Sequence, residues 1–212
     1  WGKSIDYASF GSIEGNQTGP DPFNLRNNRG PSNFDVTHRL VISGIWELPR
    51  LASQGALVRN VLGGWQSNFI FGAETGTPLT VVSGVDNDFN NVGGDFGDYL
   101  GGDWKLSRSR TKNEKLSRWF QTSQFAVNRA GTIGSGRRGQ LRGPGLWNVD
   151  YSLFKNFDVT EKMRLQLRGE FFNVFNHANL GDPNTSVNSP SFGIIAGASA
   201  PRIVQLAVKL IF

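Results

Sequence analysis

Apolar and polar residues alternate with period two along several stretches of the chain, the pattern of strands with two unlike faces. From Trp147 to Phe157 one face reads Trp147, Val149, Tyr151, Leu153, Lys155 and Phe157, against Asn148, Asp150, Ser152, Phe154 and Asn156. After a turn over Asp158-Val159-Thr160-Glu161-Lys162, Met163, Leu165, Leu167, Gly169 and Phe171 alternate with Arg164, Gln166, Arg168 and Glu170. At the end of the chain Val204, Leu206, Val208, Leu210 and Phe212 alternate with Gln205, Ala207, Lys209 and Ile211. The stretches from Leu40 to Leu48 and from Trp65 to Glu74 behave alike, and a sixth, weaker strand is expected to end near Phe10. The fold class is therefore all-β, built of antiparallel strands.

The connections between these strands are of two kinds. Five residues separate Phe157 from Met163 and sixteen separate Leu48 from Trp65, whereas residues 11–35, 75–146 and 176–202 are long and rich in Gly, Asn, Asp, Ser and Pro. Loops beyond about 15 residues are uncommon in compact soluble domains. A transmembrane barrel has short turns at its periplasmic rim and long extracellular loops. The eleven residues from Trp147 to Phe157 rise about 36 Å and, tilted near 45°, cross about 25 Å of bilayer. Sandwich strands are more often about five or six residues long.

A periplasmic C-terminus would bring Trp46, Trp65, Phe157 and Phe212 to one membrane interface and Trp147 and Phe171 to the other, two aromatic girdles on the apolar face. The second face, with Arg39, Glu47, Gln66, Asn68, Glu74, Asp150, Arg164, Arg168, Glu170 and Lys209, suits a wet lumen. Lys155 is the exception on the apolar face, and its stem is expected to snorkel to the headgroups near Phe157; His38 is a milder one. Six strands cannot close, since the smallest membrane barrels have about eight. Either residues 77–83 and 119–127 supply two more, or the chain is the C-terminal part of a larger barrel. Trp at position 1, with Met163 the only methionine, favours the second.

Composition agrees with a barrel. The 212 residues are 38% hydrophobic and 18% charged, with 27 Gly, 16 Phe and 6 Trp, where a soluble domain carries about 25% charge and about 7% Gly. The absence of Cys excludes a disulfide scaffold, a thiolate metal site and a cysteine nucleophile. No apolar run of about 18 residues exists to make a transmembrane helix. The net charge of +5 does not imply nucleic acid, because the basic residues are scattered. The densest groups (Arg108, Arg110, Lys112, Lys115; Arg137, Arg138, Arg142) fall in Gly- and Ser-rich segments and read as solvated loop charges.

Candidate chemistry is sparse. Gly134-Ser135-Gly136-Arg137-Arg138-Gly139 has the glycine spacing of a dinucleotide loop, but Gly143-Pro144-Gly145 follows where a helix would have to start, so a flexible loop is expected. Asp86, Asp88 and Asn90 have the spacing that opens a calcium loop, yet Asn91 and Gly97 stand where an EF-hand needs Gly and Glu. Asp86 and Asp88 are thus weak metal candidates, with Asp95 or Asp98 as further oxygens of an irregular site in the loop of residues 85–104. His38 and His177 lack partners at ligand spacing. Asp150 and Glu170 beside Arg164 and Arg168 read as a structural charge ladder. No catalytic site, enzymatic activity or cofactor is expected.

The segments Phe34-Asp35-Val36-Thr37-His38-Arg39, Gly63-Gly64-Trp65-Gln66, Gly76-Thr77-Pro78-Leu79-Thr80-Val81 and Arg142-Gly143-Pro144-Gly145-Leu146-Trp147-Asn148-Val149-Asp150 resemble TonB-dependent outer-membrane receptors. So do Ser152-Leu153-Phe154-Lys155-Asn156-Phe157, Glu170-Phe171-Phe172-Asn173-Val174-Phe175-Asn176-His177 and Lys209-Leu210-Ile211-Phe212. The resemblance is to the Oar-like subgroup and covers nearly the whole chain. It implies the last strands of a barrel of about 22, in the outer membrane of a Gram-negative bacterium, energised through a TonB complex that acts on an upstream region. Plug and N-terminal domains would precede this segment. It also implies that the terminal strand, with Leu206, Val208, Leu210 and Phe212, is read by the barrel assembly machinery. The partners are then outer-membrane lipid, that machinery, TonB and an unidentified substrate. A soluble carbohydrate-binding module and a small stand-alone barrel acting as adhesin or channel are the alternatives.

Overall fold

The computed structural model describes residues 1–7, 9, 20–49, 51, 53, 55–91, 94–160 and 163–212. They form two compact units. A strand unit comprises Arg39–Glu74, Leu146–Asn179 and Ser199–Phe212, and a loop unit comprises Trp1–His38, Thr75–Gly145 and Leu180–Ala198.

In chain order the elements are β1 (Ile5–Asp6), β2 (Gly30–Pro31), β3 (Arg39–Glu47), α1 (Ala56–Leu62), β4 (Trp65–Glu74), β5 (Pro78–Leu79), β6 (Asp98–Tyr99), α2 (Lys112–Ser117), β7 (Phe125–Ala126), β8 (Leu141–Arg142), β9 (Leu146–Asp158), β10 (Arg164–Phe172) and β11 (Ile203–Ile211). The strand unit is one antiparallel sheet in the order β11-β10-β9-β4-β3, so each strand lies beside its neighbour in sequence among the long ones. Its strands run from 9 to 13 residues. The sheet is open, with β3 and β11 at its edges.

Register joins the faces as the alternation requires. Leu167 stands opposite both Lys155 and Val208, and Phe69 opposite Gly44 and Tyr151. On the other face Gln166 stands opposite Asn156 and Lys209, and Gln66 opposite Glu47 and Phe154. A slip of one residue would mix the two faces. The turn after β9 is pinned by Val159 N–H donating to Met163 O (2.9 Å) and Met163 N–H to Thr160 Oγ1 (3.0 Å). The connection from β3 to β4 holds α1, an element that the alternation does not predict.

The expected sixth strand is not part of this sheet among the described residues. Ile5–Asp6 instead makes a two-residue ladder with Gly30–Pro31, and Phe10 lies outside the described residues. Residues 77–83 and 119–127 likewise supply no barrel strand. Pro78–Leu79 pairs with Leu141–Arg142, and Phe125–Ala126 with Asp98–Tyr99.

The long connections, expected as solvated loops, fold around a core of their own. Val81, Phe120, Phe125 and Leu141 are buried there with Trp104, Trp119 and Phe192 packed against them. Phe120 meets Phe125 and Phe192 edge to face, at centroid distances of 5.7 and 5.2 Å. The glycine-rich run is packed rather than free. Gly134 adopts φ +82°, and a Cβ there would sit 1.9 Å from Phe96 O, so only glycine lets the two backbones meet.

Candidate functional site

The two faces of the sheet are the first candidate. The apolar face leaves large side chains open, among them Trp46 (70% exposed), Leu206 (79%) and Val208 (69%). A continuous apolar surface of this kind is seldom left to water. The second face carries Arg39 paired with Glu74 at 3.6 Å and Arg164 paired with Asp158 at 3.1 Å. It is mixed rather than uniformly polar, since Val41, Ile45 and Ile70 are exposed on it.

Aromatics sort to the ends of the strands. Trp46 lies next to the end of β3, Trp65 opens β4 and Phe157 lies next to the end of β9, all toward one end of the sheet, where Phe212 follows β11. Trp147 is the second residue of β9 and Phe171 lies late in β10, toward the other end. Trp147 is held in place there: it exchanges two backbone hydrogen bonds with the Asn179 side chain (3.0 and 2.9 Å), and His177 stacks on its ring at 4.2 Å.

Lys155 corrects the expectation that it snorkels to a headgroup. Its side chain is buried, its ammonium donates to Gly63 O, and it sits 5.2 Å from the ring centres of both Trp65 and Phe157. Trp65 Nε1 donates to Val61 O at 2.8 Å. Both side chains thus satisfy carbonyls at the C-terminal end of α1, where a cation also meets the negative end of the helix dipole. Lys155→Met keeps the stem and removes the charge. Amide exchange at Arg59 and Gly63 should then rise about tenfold, corresponding to about 1.4 kcal/mol; unchanged exchange would remove Lys155 from this role.

The charge ladder is also corrected. Asp150 Oδ1 accepts from Asn148 Nδ2 (2.6 Å) and from Asn173 N (2.9 Å), so it holds the turn after β10. Arg168 lies over the Phe154 ring at 4.3 Å. Among the described residues no ion pair links Asp150 or Glu170 to Arg164 or Arg168. The expectation failed because a strand neighbour of opposite charge competes with turn amides and ring faces that local sequence does not reveal.

The loop unit holds a cavity of about 520 Å³ lined by Trp104, Arg108, Arg110, Lys115 and Trp119 among others. Trp119 Nε1 donates to Arg142 O at 2.8 Å. Arg110 donates to the carbonyls of Ser107 (3.0 Å), Glu114 (3.1 Å) and Trp119 (3.2 Å). α2 starts on a capping box in which Glu114 N donates to Thr111 Oγ1 and Thr111 N to Glu114 Oε2. Arg110 is held by carbonyls, contrary to the expectation of a solvated loop charge, whereas Arg108 and Lys112 are exposed as expected. With Trp104 and Trp119, the cations Arg108, Arg110 and Lys115 line a basic groove that has flat apolar walls.

The family model of the outer membrane beta barrel domain matches residues 1–205. The chain belongs to that family. No curated protein and no solved structure matches it. Membership places this barrel domain in the outer membrane of a Gram-negative bacterium, and it sets aside the soluble carbohydrate-binding module. The open sheet is consistent with part of a barrel wall.

Within the barrel domain, the residues expected on each face stay on that face: Arg39, Glu47, Asp150, Arg164, Arg168, Glu170 and Lys209 share one, and Leu206, Val208 and Leu210 the other. Asp86 and Asp88 come together with Asp95, whereas Asp98 accepts from Ser135 N at 2.9 Å. Three of the segments that carry the TonB-receptor resemblance meet at one residue. Arg142 donates to Asp35 Oδ2 (2.5 Å), Asp35 O (3.0 Å) and Gly76 O (3.1 Å). The signal was present in the sequence as three separate segments; only the fold brings them to one guanidinium.

Proposed function

We propose that the chain forms part of the wall of a TonB-dependent transporter, with its C-terminus on the periplasmic side. The observation that carries this reading is the open five-stranded meander whose short connections both lie at one end, while residues 75–145 and 173–202 leave it at the other. Among the described residues the sheet has five strands, fewer than the roughly eight that the smallest membrane barrels need, which supports reading it as part of a larger wall. The resemblance of its ordered segments to TonB-dependent receptors supplies the rest.

In this reading the apolar face meets lipid. Trp46, Trp65, Phe157 and Phe212 ring the periplasmic interface, and Trp147 and Phe171 ring the outer one. Arg39, Glu47, Asp150, Arg164, Arg168, Glu170 and Lys209 line a wet lumen. Leu206, Val208, Leu210 and Phe212 form the signal for the assembly machinery, and TonB acts on a region upstream. The role is transport rather than catalysis, with no cofactor. The loop unit takes part in substrate capture, and the cationic, tryptophan-walled groove favours an anionic solute with a flat apolar face.

Single cysteines at exposed Ala130 and Thr160 test the orientation in whole cells. Ala130→Cys should react with an impermeant maleimide added outside, and Thr160→Cys only after the outer membrane is opened. Reversed labelling would overturn the topology. Uptake by the whole protein should stop when TonB is deleted; function that persists without TonB would favour a small stand-alone barrel.

A further inference from the structure

We propose that Asp86, Asp88 and Asp95 form a binding site in the loop unit for a divalent cation of calcium type. One carboxylate oxygen from each residue lies within 4.8 Å of the others. Oxygen ligands around calcium sit about 2.3–2.6 Å from the ion, so ligands on opposite sides are separated by about 4.6–5.2 Å. The spacing of the three oxygens is that of ligands around one ion.

A second observation points to a ligand. Asp95 is fully buried, and its Oδ1 has no hydrogen-bond partner among the described residues; Asp86 Oδ1 is buried and equally without one. Buried carboxylate oxygens are ordinarily satisfied, and an orphan in a folded structure calls for a missing ion or water. Asp95 is firmly oriented by its other oxygen. Oδ2 accepts from Asn87 N (2.7 Å), Asp88 N (3.2 Å) and Asn128 Nδ2 (2.8 Å), and Asp95 O accepts from Ser83 N (2.7 Å). None of the ion pairs among the described residues reaches the three carboxylates. An all-oxygen set of three acids without imidazole or thiolate selects a hard cation.

The test uses the full chain in detergent micelles, first stripped with a chelator. Titration with calcium chloride alone should give one saturable site per chain, a higher melting temperature and slower amide exchange at Asn87, Asp88 and Asn91. Magnesium chloride at the same concentration should do much less. Asp86→Asn should weaken calcium binding at least tenfold, and so should Asp95→Asn; Asp103→Asn, an exposed acid in the same connection, should leave it unchanged. If Asp95→Asn fails to fold, Asp86→Asn still decides. The proposal is overturned by a stripped wild-type chain that takes up no calcium at about 10 mM, well above the weakest extracellular sites, or by calcium binding that Asp86→Asn leaves intact. It stands or falls independently of TonB, because it is read from binding and not from uptake.

Discussion

Leu153→Arg should destabilise the protein in its membrane by about 2–4 kcal/mol, whereas Ser152→Arg, one residue away, should cost less than about 1 kcal/mol. Both positions lie near the middle of β9, the central strand of the sheet. Leu153 stands between Ser67 and Gly169 on the apolar face. A guanidinium there has no carboxylate opposite it, and at mid-strand it is far from either interface, where snorkelling would relieve the cost. Ser152 stands between Asn68 and Glu170 on the other face, and Asn68 Nδ2 already donates to its hydroxyl at 3.3 Å. An arginine at 152 faces Glu170 directly, so cross-strand attraction offsets much of its desolvation. Urea unfolding of the two variants in lipid vesicles, followed by the heat-dependent shift of the folded band, measures the difference. Equal costs, or a greater cost for Ser152→Arg, would reverse the assignment of the lipid-facing side.

The second large effect is expected in the loop unit. Arg138→Met should loosen the N-terminal segment by roughly 3 kcal/mol, the order found when one partner of a buried charge pair is removed. The Arg138 side chain is wholly enclosed. Its guanidinium meets Asp6 Oδ1 at 2.6 Å, Asp6 O and Asn28 O at 3.2 Å each, and Ser9 Oγ at 2.5 Å. Gly30 makes the room, because a Cβ there would lie 2.8 Å from both Arg138 Cβ and Arg138 O. Methionine fills the stem but takes the guanidinium away from the Asp6 carboxylate, which keeps its hydrogen bonds from Ser9, and from the carbonyls of Asp6 and Asn28. Amide exchange at Ser32 and Asp35, which donate to Ser4 O (3.0 Å) and Ser32 O (2.8 Å), is the measurement; exchange equal to wild type would show that the guanidinium does not hold this segment.

The same contacts set a pH dependence. Burial raises the Asp6 carboxyl, but hydrogen bonds from Ser32, Ser9 and Arg138 outweigh it and hold the group well below the ordinary carboxylate range. Burial likewise raises Asp35, and the Ser4 amide and the Arg142 guanidinium bring it below its ordinary value. Both groups are more acidic folded than unfolded, so their stabilisation is present above about pH 4 and is lost as pH falls below it toward the folded values. Acid should therefore open the N-terminal segment of the wild-type chain. Arg138→Met should lose less on acidification, because part of the Asp6 depression has already gone.

The strands were legible because their signal is local. A pleated strand turns successive side chains to opposite faces, so a surface with two different environments writes a period of two directly into the sequence. The Leu146–Asp158 strand, its partners and the short turn before Arg164 could all be read from that alternation, as could the sorting of Trp46, Trp65, Phe157 and Trp147 toward strand ends. α1 escaped because a seven-residue helix is about two turns, too short for a period of 3.6 to declare itself. Its apolar residues were read only as part of a connection.

Alternation, turn residues and the ordered segments thus determine, without coordinates, the antiparallel strands, the split into two faces and the outer-membrane barrel class. Tertiary structure alone decided the rest. Arg138 and Asp6 are 132 residues apart, Arg142 and Asp35 107 apart, and Lys155 and Gly63 92 apart. No periodicity links such pairs, since each depends on where two separate segments are brought and which donor reaches an acceptor first. For that reason the connections looked like generic loops in the sequence and fold as a unit with a core, a basic groove and a cluster of acids.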